Sequence, residues 1–403
     1  MSTASSLRPV PALDLLLADL RELVECESPS SDLAAVERSA DLVARLGGER
    51  LRVAPERIVV DGVHHLRWTF GADRTDGRVL VLAHHDTVWP IGTLARQPFD
   101  VTGGVLRGPG CFDMLAGLVM AMHAIAMLDD GLDDGLDDRL GDGLGDGLGD
   151  GGRDGVTLLV TGDEELGSAS SRALIEAEAL RSSAVLVLEA SADGGALKTG
   201  RKGTSLYEVD VAGRAAHAGL EPEKGINATL ELAHQVQLVA ALCDKDLGTT
   251  VTPTVATAGH TVNTVPSWGR FAVDVRAWSM AELERVDTAL HALAPVLPGA
   301  EVRVHGGINR PPLEESSSLP LFERAQAVAA RLGLPLLTRA SVGGASDGNF
   351  TAGVGTPTLD GLGAVGGGAH AEDEHLLVDR LVDRTVLVHG LLRDLLGGSD
   401  DRT

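Results

Sequence analysis

Residues 160–168 read Val160-Thr161-Gly162-Asp163-Glu164-Glu165-Leu166-Gly167-Ser168. The two adjacent glutamates follow an apolar run, Val156-Thr157-Leu158-Leu159-Val160, that reads as a buried strand bounded by glycines. In an open α/β sheet, chemistry collects beyond the carboxyl ends of the strands. Neighbouring carboxylates repel unless a cation or a proton separates them. The stretch is therefore either a solvated acidic turn before a helix at 170–180 or one side of a cation site. Other apolar runs bear on the choice. Residues 79–83 form a continuous apolar run, the pattern of a strand covered on both faces, and deliver His84-His85-Asp86 to its end. Residues 184–188 form another, and it ends in Glu189.

The 403 residues suggest two or three domains, with 44% hydrophobic content typical of a soluble globular chain. A net charge of -24 argues against a nucleic-acid or anionic-membrane partner. Cys26, Cys111 and Cys243 are odd in number and far apart, which suits a reducing compartment rather than a disulfide framework. The N-terminal leucine-rich run is broken by Asp14 and Asp19, so neither a signal peptide nor a membrane span is expected, and a cytoplasmic location is.

In chain order, an amphipathic helix begins near Leu13, and a second, over 33–46, is expected to stop at Gly47-Gly48. Gly108-Pro109-Gly110-Cys111-Phe112-Asp113 precedes an apolar helix over 114–128, so Asp113 also fits a capping residue. Residues 129–155 are low complexity, ten aspartates against Arg139 and Arg153, and read as a mobile Asp/Gly-rich insertion. From about residue 200 the order becomes βαββαβ, the ferredoxin-like split unit, and the α/β pattern resumes near 310. The expected division is a catalytic domain over 1–199 and 310–403, with an inserted domain over 200–309.

His84, Asp113, Glu165, Glu189 and His370 make a mixed set of nitrogen and oxygen donors without cysteine. That set suits catalytic zinc, or manganese or cobalt, better than a structural ion. Asp113 could bridge two ions about 3.5–4 Å apart, leaving each with one His and one Glu. Glu164, beside a ligand and not one itself, is then placed to take a proton from water as general base. His-x-Asp at a strand end lets Asp86 orient the His84 ring.

The ordered set resembles a di-zinc peptidase family that includes aminoacylases, acetylornithine and succinyl-diaminopimelate deacylases, and bacterial glutamate carboxypeptidases. The likeness covers nearly the whole chain. It implies an α/β, zinc-peptidase-like catalytic domain with a mixed sheet and flanking helices, and an inserted ferredoxin-like dimerisation or lid domain. It also implies a homodimer through that insertion, and two divalent ions per chain. His84 and Glu189 would hold one, Glu165 and His370 the other, with Asp113 shared, Glu164 as base and Asp86 behind His84. Gly213-Arg214-Ala215-Ala216-His217-Ala218-Gly219 resembles the segment whose histidine polarises the scissile carbonyl. Asn263, Arg276 and Arg310 resemble substrate-holding positions. Arg201-Lys202-Gly203 and 217–227 look most like the glutamate carboxypeptidase branch, which implies cleavage of an N-acyl amino acid or small peptide with release of an acidic amino acid. One departure stands out: the aspartate segment usually continues, after methionine, with lysine and two glycines, and here it reads Asp113-Met114-Leu115-Ala116-Gly117.

Three other readings compete. One is a deacylase of the acetylornithine or aminoacylase type. Another is a serine hydrolase built on Gly344-Ala345-Ser346-Asp347-Gly348, which fits Gly-x-Ser-x-Gly, with His370, Asp373 and His375 downstream. The third is a catalytically silent dimeric binding protein that keeps the fold.

Overall fold

The computed structural model describes residues 11–72, 74, 77–129 and 152–397, so most of the Asp/Gly-rich tract lies outside the described residues. The chain divides into two compact units, Met1–Thr199 with Glu315–Ser341 and Ser346–Thr403, and Gly200–Glu314 with Val342–Ala345.

The first unit begins with α1 (Leu13–Glu25), α2 (Leu33–Leu51), β1 (Glu56–Val60), β2 (Val63–Thr69) and β3 (Val79–His84). It continues through β4 (Asp100–Thr102), β5 (Val105–Arg107), a wide turn at Cys111–Leu115, and α3 (Ala116–Ala126). Then come β6 (Val156–Thr161), α4 (Arg172–Leu180), β7 (Ala184–Val187) and β8 (Leu197–Arg201). The second unit comprises β9 (Gly203–Ala212), β10 (Ala216–His217), α5 (Ala228–Ala240), β11 (Thr250–Ala258), β12 (Thr264–Val265), β13 (Trp268–Ala277), α6 (Met280–His291) and β14 (Glu301–Arg310). The chain returns through α7 (Glu315–Arg331), β15 (Arg339–Val342), α8 (Gly348–Gly353), β16 (Thr358–Leu359), β17 (Gly366–Gly367), β18 (His375–Leu377) and α9 (Val378–Gly397).

The main sheet of the first unit has the order β1-β2-β6-β3-β7-β16. It is mixed: β6, β3, β7 and β16 run parallel, and β2 pairs antiparallel with β6. Both faces of the parallel strands are covered. Val79, Val81, Leu158, Val160 and Leu186 join one core with α1, α2, α3, α7 and α9, whereas Leu80, Leu82, Leu159, Val185 and Val187 join a second with α4 and α8. Burial on both faces explains why these strands read as unbroken apolar runs. A smaller sheet, β17-β18-β5-β4, sits in the same unit.

In the second unit the sheet order is β11-β13-β9-β14, antiparallel throughout, with its own core around Val209, Val211, Phe271, Val273 and Val286. That is the ferredoxin-like arrangement. The hairpin-like pair β10–β12 is an addition to it. Val342–Ala345 joins this unit because Lys202 N–H donates to the Val342 carbonyl at 3.2 Å, and Arg276 and Arg201 donate to the Gly343 and Gly344 carbonyls.

One expectation is overturned. α2 does not stop at Gly47-Gly48 but runs through both to Leu51, with Arg52 in the left-handed region after it. Gly47 is there for packing: a Cβ on it would fall 2.5 Å from Cζ2 of the buried Trp68 ring. Gly48 has open space, its nearest neighbour being the Val53 carbonyl at 3.9 Å. Gly47→Ala is therefore expected to cost about 1–3 kcal/mol through overpacking. Gly48→Ala should stabilise by about 0.5–1 kcal/mol through the lost helix penalty of glycine. Denaturant melts of the two variants test this, and equal effects would refute it.

α9 packs along α3, a helix whose described residues from Ala116 to Ile125 are all buried. At this contact the His389 Nδ1–H donates to the Ala124 carbonyl at 3.2 Å. Burial pushes the His389 pKa down from 6.5 to about 4, and burial does the same to His85 beneath the sheet. With folded values below unfolded ones, the unfolded chain binds more protons between pH about 6.5 and about 4. The stability from these neutral rings is complete above about pH 6.5 and is lost as pH falls, up to about 3 kcal/mol for each ring. Unfolding free energies measured across that window should fall with pH. In His389→Gln the slope should drop by about 1.4 kcal/mol per pH unit; an unchanged slope would show that the ring does not titrate as described.

Candidate metal centre

Strand order alone brings three of the sequence elements together. β3 lies between β6 and β7, all three parallel, so His84 at the end of β3 is flanked by Glu164 and Glu165 after β6 and by Glu189 after β7. His84 Nε2 lies 3.5 Å from Glu189 Oε1 and 3.8 Å from Asp113 Oδ1. His370 Nε2 lies 3.3 Å from Asp113 Oδ2 and 3.2 Å from Glu165 Oε2. Asp113 thus stands between a His84–Glu189 pair and a His370–Glu165 pair. Ligand-type atoms of His84, Asp113 and Glu165 lie within 4.8 Å of one another, as do those of His84, Glu164 and Glu189.

Asp113 is not a helix cap. Its backbone is extended (φ -116°, ψ 98°) within the wide turn before α3, and its peptide bond to Met114 is cis. His370 reaches the site from the loop between β17 and β18, itself in the left-handed region at φ 62°. The small sheet explains its arrival: Arg107 of β5 and His375 of β18 are cross-strand partners, so the aspartate turn and the histidine loop leave the same end of one ladder.

Asp86 does more than face His84. The His84 Nδ1–H donates to the Asp86 main-chain carbonyl at 2.9 Å, with the carboxylate Oδ1 at 3.3 Å. The same carboxylate accepts the backbone N–H of Glu164 at 3.3 Å, that of Glu165 at 3.2 Å, and the Ser30 hydroxyl at 2.6 Å. One buried carboxylate therefore ties the end of β3 to the turn after β6. That turn is held from its other side by Asp163, which accepts from Ser170 N–H and from the Ser170 and Ser171 hydroxyls at 2.5–2.7 Å.

The electrostatics are those of crowded anions sharing two imidazoles. Burial works against a charged His84, yet the Asp113, Asp86 and Glu189 carboxylates beside it carry its pKa well above 6.5. Asp113 and Glu165 push His370 up to about 10. Burial opposes ionisation of Asp113, but His370 and His84 hold it well below the usual carboxylate range. Burial raises Glu165, with His370 opposing. Even so, His84 Nε2 and Glu165 Oε1 are buried and have no hydrogen-bond partner among the described residues. Orphaned buried ligand atoms in a nitrogen and oxygen donor set fit a divalent cation. His84, Asp113, Glu165, Glu189 and His370 could hold two.

The remaining expected residues lie in the second unit. His217 and Asn263 are brought together: β10 pairs with β12, and Ala218 N–H donates to the Asn263 carbonyl at 3.0 Å. His217 is exposed, and its Nδ1 accepts from Gly219 and Leu220 N–H at 3.1 and 3.2 Å, leaving Nε2 as the proton-bearing nitrogen. Arg276 is half-exposed and donates to Asp274 and to the Gly343 carbonyl; Arg310, at the end of β14, is buried. The serine-hydrolase alternative fails on geometry. Ser346 is buried, and its hydroxyl donates to Asp360 at 2.6 Å and accepts from Gly348 N–H at 3.1 Å, so it is not presented as a nucleophile. Sequence reading missed Ser30, Asp163 and Glu374. Glu374 is a buried carboxylate whose only signal was its place four residues after His370, in a run where Glu372 and Asp373 look equivalent.

Residues 199–298 match the family model described as a peptidase dimerisation domain. Over 328 residues the chain is 30% identical to carboxypeptidase G2 of a Pseudomonas species, covering 79% of this chain and 74% of that one. It is 27% identical over 353 residues to a succinyl-diaminopimelate desuccinylase of Burkholderia ambifaria, covering 81% of this chain and 86% of the relative. In fold it resembles the M20 family metallo-carboxypeptidase of Sulfolobus solfataricus, with a TM-score of 0.67, 17% identity, and 94% and 99% of the two chains covered.

Cation binding should displace the protons that His84 and His370 hold in the ion-free protein. Apparent affinity for Zn2+ or Co2+ is thus expected to tighten as pH rises and to weaken as pH falls. Calorimetric titrations in buffers of different ionisation enthalpy should record proton release; none released would mean that the imidazoles do not receive the cation.

Proposed function

The chain belongs to the M20 peptidase family and is a hydrolytic enzyme, and from that premise we propose that it is a two-metal amidohydrolase acting on small N-acyl amino acids or peptides. The observation that carries this is the convergence of His84, Asp113, Glu165, Glu189 and His370, with buried ligand atoms otherwise unsatisfied. Two divalent ions, Zn2+ by preference and Co2+ or Mn2+ by the same donor chemistry, would polarise the scissile carbonyl and lower the pKa of water toward neutrality. Glu164 takes the proton of the attacking water at its carboxylate and returns it to the leaving amine. Its backbone is fixed for that task by Asp86, which also holds the His84 ring. His217, with Nδ1 engaged by backbone amides, offers Nε2–H to the substrate carbonyl.

An acidic or carboxylate-bearing leaving amino acid is favoured by the cations of the second unit. Lys202 is held below its usual pKa by burial and by the nearby Arg276 charge, so two cations lie close together there. Arg276 and Arg310, with Asn263, are the groups that would grip such a carboxylate. Leu115, in the position where relatives of this kind usually carry lysine, is buried in the main core and offers no charge. A deacylase of the aminoacylase type is the second reading, supported by the desuccinylase relative. Homodimer formation through the 199–298 domain is supported by its family description. Among the described residues no helix is long and apolar enough to cross a membrane; a cytoplasmic location is proposed from the sequence.

Metal analysis and a substrate panel weighted toward C-terminal Glu and Asp test the reading. We expect about two ions per chain, activity abolished by chelation and restored by Zn2+ or Co2+, and the fastest release from acidic substrates. Glu164→Gln should keep both ions and lower kcat by about 10²–10⁴-fold. A chain that binds no metal, or a Glu164→Gln variant with full turnover, would overturn it; a metal-loaded protein without hydrolysis would favour the silent binder.

A further inference from the structure

Glu374 lies at the end of the loop that carries His370 and is buried, with 3% of its surface exposed. Its Oε1 accepts the backbone N–H of Phe112 at 2.9 Å and of Asp113 at 3.0 Å. Its Oε2 accepts the Gly110 N–H at 2.9 Å and the Trp89 indole N–H at 2.7 Å. A carboxylate offers about four lone-pair directions. All four are filled by donors. Three of the donors belong to the turn that presents Asp113, and the carboxylate itself belongs to the loop that presents His370.

We propose that Glu374 is a positioning residue that locks the His370 loop to the Asp113 turn and thereby fixes the second ion's position relative to the first. The inference rests on the two-metal reading above. His84 and Glu189 follow strands of the main sheet and do not depend on this lock. His370 stands on an exposed loop, and the β5–β18 pairing reaches only as far as Arg107 and His375. Between that last pair and the ligands, Glu374 joins the two segments through three backbone hydrogen bonds. Its loss should therefore weaken the ion at His370 and Glu165 most, because the other keeps His84 and Glu189 on the main sheet.

Glu374→Gln keeps the shape and replaces one oxygen by an NH2 that faces N–H donors. Glu374→Asp keeps the charge and shortens the reach, and it serves if the glutamine variant does not fold. Metal-free wild type and variants would be titrated with Co2+, followed by calorimetry and by the visible spectrum of the bound ion, with melting temperature recorded alongside. The expected result is one ion bound within threefold of wild type and the second at least tenfold weaker, with kcat reduced at limiting Co2+ and recovered at excess. KM should change little. Two ions bound as tightly as in wild type, with an unchanged spectrum and only a lower melting temperature, would overturn the proposal and leave the two-metal reading standing. Wild type that binds no Co2+ would overturn both.

Discussion

Like charges crowded out of water are the constraint on which this molecule turns. Asp86, Asp113, Glu164, Glu165 and Glu189 converge with His84 and His370 around the ends of three parallel strands. Such a group is unstable unless positive charge is distributed through it. The chain supplies part of that charge with two imidazoles whose protonation the carboxylates favour, and supplies hydrogen bonds where it cannot supply charge. Asp86 is satisfied by two backbone amides and a hydroxyl, Asp163 by an amide and two hydroxyls, and Glu374 by three amides and an indole. Beside them, Glu165 keeps a buried oxygen with no hydrogen-bond partner among the described residues. Anions well supplied with hydrogen bonds thus frame the cluster around His84 and His370.

Much of this was legible in the amino-acid order. Continuous apolar runs at 79–83, 156–160 and 184–188 are strands because both faces are covered, and their ends hold the expected His84, Glu164, Glu165 and Glu189. The βαββαβ pattern likewise yields the antiparallel sheet of the second unit. What could not be read were interactions set by tertiary approach. Gly47-Gly48 has the form of a helix stop, yet the helix runs through it, and the glycine at 47 answers to the Trp68 ring that fills the space of a Cβ there. Asp113 has the form of a cap, yet the turn that holds it is extended there and its carboxylate lies near His84 and His370. Glu374 looks like its acidic neighbours until β18 is paired with β5 and its side chain is carried inward.

The two units differ in how their side chains are used. In the first, His84, Asp86, Glu164 and Glu189 are buried at the sheet ends, while His370 comes from an exposed loop. In the second, the expected groups stand on the β10–β12 pair and on strand surfaces, with His217 and Asn263 exposed and Arg276 held by Asp274 and the Gly343 carbonyl. A rigid, desolvated centre suits bond cleavage, where placement within fractions of an ångström matters. An exposed set of donors and cations suits selection among substrates, and such positions tolerate change without loss of the core.

The pairing of Arg107 with His375 sets an order on the birth of the protein. Because β5 lies early in the chain and β18 near its end, the first unit is discontinuous, whereas the second is drawn almost wholly from one continuous stretch. A ribosome therefore releases a complete ferredoxin-like insertion long before the sheet around it can close, and domains fold as units when their sequence is available. The His370 ligand and the α9 partner of α3 arrive last. Throughout synthesis the nascent chain lacks one side of the centre, and the all-buried helix α3 lacks the surface that covers it. A chain cut short by even its last two elements would display an apolar helix without its cover, which marks it for chaperones and proteases.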